Sequence, residues 1–173
     1  MRDRAREILA RPQAELVVPT DRTAVEDPLA LNRWLVPARD RAALERWGLP
    51  LIERYGLVSN IHAGERPDEL EDGRGYYGLG IWLDLELAAA VPSGQVWGIP
   101  LTQWRQSDVF VNSSISGLID SAWRWYWISG IINSADSIDR YACLRDLFEF
   151  IVKRDADVAA QRHSLWREVL LGG

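Results

Sequence analysis

An α+β fold is predicted by three features of the sequence: helical spacing of apolar residues before residue 50, short β-rich runs between turn residues from Tyr55 onward, and a return to helical spacing after Asn112. Apolar residues make up 47% of the 173 and charged residues 26%, a composition that supplies a real core and excludes a disordered chain. At this length folding buries roughly 70% of the extended-chain surface, so one compact domain needs neither a metal nor a disulfide to be stable.

Asp27-Pro28 sets a capping residue before a proline at the first helical position and opens a short helix to about Leu35. Asp40 can cap a second helix through Arg41 to Trp47, in which Ala43, Leu44 and Trp47 share a face, and Gly48-Leu49-Pro50 ends it. Four β-rich runs follow: Tyr55 to Ile61, Tyr76 to Leu83, Val96 to Ile99 and Val109 to Val111. Their short spacing reads as an antiparallel meander. Ser93-Gly94 after Pro92 is a hairpin turn into the third run. Ile115, Leu118, Ile119, Ala122 and Tyr126 then mark a helix whose first turn Asn112 or Ser113 can cap. Asp136 or Ser137 opens another, with Ile138, Tyr141, Leu144, Phe148 and Ile151 as its apolar face up to about Lys153. Leu165, Trp166, Val169 and Leu170 form a last short helix before Gly172.

The net charge is −5 and the pI about 5.1. Nucleic acid is therefore not expected as a ligand, because phosphate contacts need a basic face; a basic partner fits better. The acidic excess is local, since residues 61–100 hold seven carboxylates and two arginines. Most of it lies between Glu65 and Gly73, where Glu65, Asp68, Glu69, Glu71 and Asp72 flank one apolar residue, Leu70, and the segment reads as an exposed loop. The longest nearly apolar stretch, Trp125 to Ile132, is far short of the ~20 residues that cross a bilayer, so no membrane partner is expected. Residues 1–12 lack the apolar segment of a secretion signal, and the single cysteine fits a reducing cytoplasm.

No motif carries catalytic chemistry. Gly73-Arg74-Gly75-Tyr76-Tyr77-Gly78 spells GxGxxG, but an acidic loop precedes it and a strand follows, the reverse of the strand-to-helix turn that meets a pyrophosphate. Its glycines serve a turn and close strand packing. Cys143, in mid-helix, reads as a small buried hydrophobe and not as the partner of His62 or His163. The two histidines are isolated from each other, and no cofactor or metal is expected. Asp84 and Glu86 alternate around Leu85 and read as a solvated strand edge. Asn112-Ser113-Ser114 lacks the glycines of a nucleophile elbow and reads as a helix cap.

Nine tryptophans stand out. In Trp123-Arg124-Trp125-Tyr126-Trp127, positions 123 and 127 share a helix face while Trp125 points elsewhere, so Trp125 is a candidate for a contact surface. Trp104-Arg105, in a polar stretch before a strand, is a second candidate of that kind.

In order along the chain, Gly48-Leu49-Pro50, Tyr77-Gly78-Leu79-Gly80, Ser93-Gly94-Gln95-Val96, Asn112-Ser113-Ser114 and Trp166-Arg167-Glu168-Val169 resemble the fourth group of the SUKH superfamily, immunity proteins of bacterial toxin systems. The resemblance runs from about Asp40 to Leu171. It implies a 40–171 domain with a central, mostly antiparallel sheet flanked by helices, preceded by an arginine-rich helical extension over 1–39. It also implies a non-catalytic protein that binds a cognate toxin, often a nuclease or nucleic-acid deaminase, in the cell that makes it. On that reading the five carboxylates between Glu65 and Asp72 would steer to a basic toxin surface and exclude its substrate. The alternative on the same fold is an interaction adaptor unconnected with a toxin.

Overall fold

The computed structural model describes residues 1–23, 25, 28–51, 57–58, 61, 66–70, 73–105, 107–133 and 136–172. It is a single mixed α+β domain. Helices α1 (Arg2–Ala10) and α2 (Gln13–Leu16) lead through a 3-10 turn, Pro19–Asp21, to β1 (Arg22–Thr23), followed by α3 (Pro28–Arg33), α4 (Ala38–Trp47) and β2 (Leu49–Pro50). The main sheet comprises β3 (Leu57–Val58), β4 (Asp68–Glu69), β5 (Gly75–Trp82), β6 (Leu85–Ala90), β7 (Val96–Pro100) and β8 (Val109–Asn112). Helices α5 (Ile115–Ile132), α6 (Ser137–Arg154), α7 (Ala156–Ala160) and α8 (Leu165–Leu171) complete the chain.

The expected meander is present as β5-β6-β7-β8, antiparallel throughout, and β3 and β4 pair with opposite ends of β5. A separate antiparallel pair joins β1 to β2. Period-two burial shows why the strands form: Tyr77, Leu79, Trp82, Leu85, Leu87, Ala89, Val96 and Val111 are buried, whereas Tyr76, Glu86, Ala90, Trp97 and Ile99 are only partly so. The four expected runs omit β6, whose start at Leu85 reads from the sequence only as a strand edge, whereas it is a central strand between β5 and β7. Leu-Glu-Leu-Ala-Ala-Ala has helix-forming composition, but its two neighbours in the sheet fix it as a strand, tertiary pairing overriding local propensity.

The acidic segment is not wholly a loop. Asp68 and Glu69 form β4, held by Asp68↔Tyr76 and Glu69↔Gly75 pairing, so the turn at Gly73 closes a hairpin. Of the expected strand Tyr55 to Ile61, Leu57–Val58 is seen as strand, and positions 55–56 and 59–60 lie outside the described residues, as does Asp27.

Helix α5 is the centre of the fold. It touches α1, α2, α4, α6, β2 and β8, and twelve of its residues are buried. That encirclement corrects the reading of Trp125: its side chain is 7% exposed and its ring lies 6.4 Å from that of Trp82, which meets Trp166 edge-on at 4.9 Å. Trp123 is fully buried, and Trp127 is the half-buried one. The buried stripe of α6 also differs from expectation. Cys143, Leu147 and Ile151 are buried at i, i+4 and i+8, while Ile138 and Tyr141 are exposed. Residues near the N-terminus share this core, with Ala5, Ile8, Leu16, Leu31 and Trp34 packed into it.

The aromatic motif of α5 fastens the N-terminal segment. Arg124 is buried beneath Phe150, pairs with Asp120, and donates to the Arg11 carbonyl at 3.0 Å and Gln13 Oε1 at 3.1 Å. Burial pushes its guanidinium pKa down against the opposing pull of Asp120. Trp127 Nε1 donates to the Leu16 carbonyl at 2.8 Å. The Tyr126 hydroxyl donates to Asp21, a bond that raises the phenol to about 12 and lowers the Asp21 carboxyl. The donors to the Arg11 and Leu16 carbonyls replace the solvent these backbone groups lose.

Candidate partner-binding surface

Cys143 is fully buried, and burial, followed by Asp139 and Asp146, pushes its thiol up, away from the thiolate a nucleophile needs. His62 lies outside the described residues. Asn112 ends β8 and is fully buried: its Nδ2 donates to Asp155 Oδ2 at 3.0 Å and its Oδ1 accepts from Trp166 Nε1 at 2.9 Å. Ser114, not Asn112 or Ser113, caps α5 through Gly117 N–H at 3.1 Å. Asp84 sits in the turn between β5 and β6 and not on a strand beside Glu86. Among the described residues no group of three or more His, Cys, Asp or Glu could hold a metal ion, and no helix is long and apolar enough to cross a membrane.

Trp104 and Arg105 behave differently from Trp125. Trp104 is 92% exposed, far beyond what packing of so large an apolar side chain would leave. The turn that carries it is nevertheless fixed at both ends. Leu101 N–H donates to the Asp84 carbonyl at 2.8 Å, and Arg105 places Nε 3.1 Å from Asp84 Oδ2 and Nη1 2.8 Å from Glu168 Oε2. One guanidinium thus binds the β5–β6 hairpin to α8, and Glu168 is the chief cause of its raised pKa. Arg105 anchors the turn; Trp104 is what the turn presents.

The hairpin tip adds Leu83. Trp82 pairs with Leu85, so Leu83 and Asp84 form a two-residue turn, and Leu83 has φ +58°, a left-handed conformation that costs a branched apolar residue about 1–2 kcal/mol. It is 56% exposed, and Leu101, whose N–H reaches the carbonyl of the next residue, Asp84, is itself half exposed. Glycine or asparagine would sit there without strain. Between this tip and α8 runs an open groove of about 530 Å³ lined by Leu83, Arg105, His163, Leu165, Glu168 and Val169.

Of the five acidic candidates, Asp68 and Glu69 are exposed on β4, and Glu65, Glu71 and Asp72 lie outside the described residues. The Tyr76 phenol is raised by burial first, then by the charges of Glu86 and Asp68, so the acidity of β4 continues onto the outer face of β5 and β6. Leu83, Leu101 and Glu168 were not singled out from the sequence. Only Leu83 gives a sign there, as a large apolar residue beside Asp84 where the turn falls.

The corner is thus an exposed apolar turn, anchored by Arg105 between two carboxylates, on a mixed α+β domain. The chain is a member of the SUKH-4 immunity protein family, which matches it over residues 9–171. No curated protein and no solved structure matches it. Membership gives the chain a role in toxin immunity and agrees with the resemblance carried by its short motifs.

Proposed function

We propose that this chain is a non-catalytic immunity protein that binds a cognate protein toxin with a basic surface, a nuclease or nucleic-acid deaminase, inside the cell that makes it. Family membership supports the toxin as partner. The observation that carries the reading to a surface is Trp104, an indole held 92% exposed by a turn tied down at both ends. A turn already tied at both ends loses little backbone entropy on docking, and buried aromatics dominate interface energetics.

Charge supplies the second half. A protein that acts on nucleic acid carries a basic cleft, and the carboxylates of residues 65–72 draw such a cleft in at long range and occupy it in place of substrate. The test is co-expression with nuclease and deaminase toxin domains, followed by co-purification. Protection of the host and a stoichiometric complex are expected. Undiminished toxicity with both proteins folded overturns the reading. Neutralising Glu65, Asp68, Glu69, Glu71 and Asp72 together should slow association and flatten its salt dependence.

A further inference from the structure

We propose that the groove between the β5–β6 hairpin tip and α8 is a receptor for an arginine side chain, supplied by the bound partner. The inference rests on the immunity reading for the source of that arginine, but not for the existence of the site.

Two features of the groove point to a cation on an aliphatic stem. The first is its charge. Asp84 and Glu168 share a single cation, Arg105, and each uses one oxygen for it, Oδ2 and Oε2 respectively. Among the described residues the remaining oxygens, Asp84 Oδ1 and Glu168 Oε1, accept no hydrogen bond, and the trio carries one uncompensated negative charge. Its side chains are about one-quarter to one-third exposed, wet enough to admit a ligand and shielded enough to strengthen an ion pair above its value in open water.

The second feature is the wall. Leu83 and Val169 line the approach, and Leu165, fully buried behind them, backs the wall on the α8 side. Methylene groups laid along it leave water while the charged end stays at the carboxylates. The groove has room for such a side chain. Arginine is preferred to lysine because a planar fork can donate to oxygens of two carboxylates at once, the arrangement Arg105 already makes between Asp84 and Glu168.

The probe is n-butylguanidinium, titrated into the intact protein while the methyl signals of Leu83, Leu165 and Val169 are followed by NMR. Saturable shifts confined to this groove, with a dissociation constant in the millimolar range expected for so small a ligand, support the site. Glu168→Gln should weaken binding about tenfold, Asp84→Asn should act in the same direction, and n-butanol should give no saturable shift. n-Butylammonium should bind more weakly than the guanidinium. Linear shifts without saturation, or an unchanged constant in both folded variants, overturn the proposal. Either result leaves toxin protection by the wild-type chain to be judged on its own.

Discussion

The Asp40 carboxylate accepts the backbone N–H of Ser116 at 2.9 Å, so a residue placed to cap its own helix serves the N-terminus of another, 76 positions further along. Helix α4 begins at Ala38, before Asp40, with Pro37 as its first flanking residue. Asp40 is fully buried between α4, α5 and the β6–β7 turn, and its other oxygen faces Gly94. A carboxylate so placed is stabilised by the positive end of α5.

Gly94→Ala tests this contact. Gly94 has φ +73°, and a Cβ there would lie 2.5 Å from Asp40 Oδ2 and 3.0 Å from Pro37 Cδ. The left-handed backbone costs about 1 kcal/mol and the overlap about 1–3 more, so chemical denaturation should show a loss of roughly 2–4 kcal/mol. A loss below about 0.5 kcal/mol would mean that the turn is free to move away from Asp40.

Asn112 joins the ends of three elements through its bonds to Asp155 and Trp166. Asn112→Ala leaves the buried Trp166 N–H without an acceptor and removes one of the two donors to Asp155 Oδ2, the other being Ser113 N–H at 2.8 Å. The expected cost is about 2–4 kcal/mol, seen as a fall in melting temperature of roughly 5–15 °C. Near-UV circular dichroism should change with it, because the Trp166 indole loses its fixed partner. An unaltered melting curve would show that water replaces Asn112 at no cost.

How much of this was legible in the sequence depends on whether a residue's role is local. The strand Gly75–Trp82 and the C-terminal helix ending at Gly172 follow from period, turn and cap, all short-range signals, and both are found within a residue or two of expectation. Asn112 and Asp40 were read as caps because local spacing allows it, whereas their partners lie 43 to 76 residues away. Trp125 and Trp104 are the same residue type in comparably ambiguous settings. What separates them is that α5 is surrounded and the 101–105 turn is not, a property of the assembled fold. The polar context of Trp104 hinted at exposure; nothing local announced Leu83 and Glu168 as its neighbours.

Helix α1 is held to α6 by Arg2 and Arg6, whose side chains reach Asp146 at 2.6 and 3.0 Å. The hydrogen bond from Arg2, opposed by burial and helped by Arg6, holds the Asp146 carboxyl below its ordinary range. A depressed folded-state value means that this docking contribution is full above the unfolded value near 4 and disappears as pH falls through the lower, folded one. Hydrogen exchange within α1, corrected for intrinsic rates, should therefore accelerate several-fold as pH drops below about 4, and Asp146→Asn should show the faster exchange already at neutral pH. Equal protection of α1 in wild type and variant at neutral pH would remove Asp146 as the fastening point.

Leu83 and Trp104 separate stability from binding. Leu83→Gly relieves a left-handed backbone and removes an exposed side chain, so its unfolding free energy should be unchanged or higher by up to about 1 kcal/mol. Trp104→Ala, at a position almost wholly exposed, should stay within about 0.5 kcal/mol of wild type. Binding of the cognate toxin should move the other way, with Trp104→Ala weakening it by about 2 kcal/mol or more, some thirtyfold, and Leu83→Gly by a smaller amount. A core role for either side chain predicts the opposite pairing, stability lost and affinity kept. Calorimetric titration beside thermal melts of the same three proteins decides between the two, and full affinity in both variants would place the toxin on some other face.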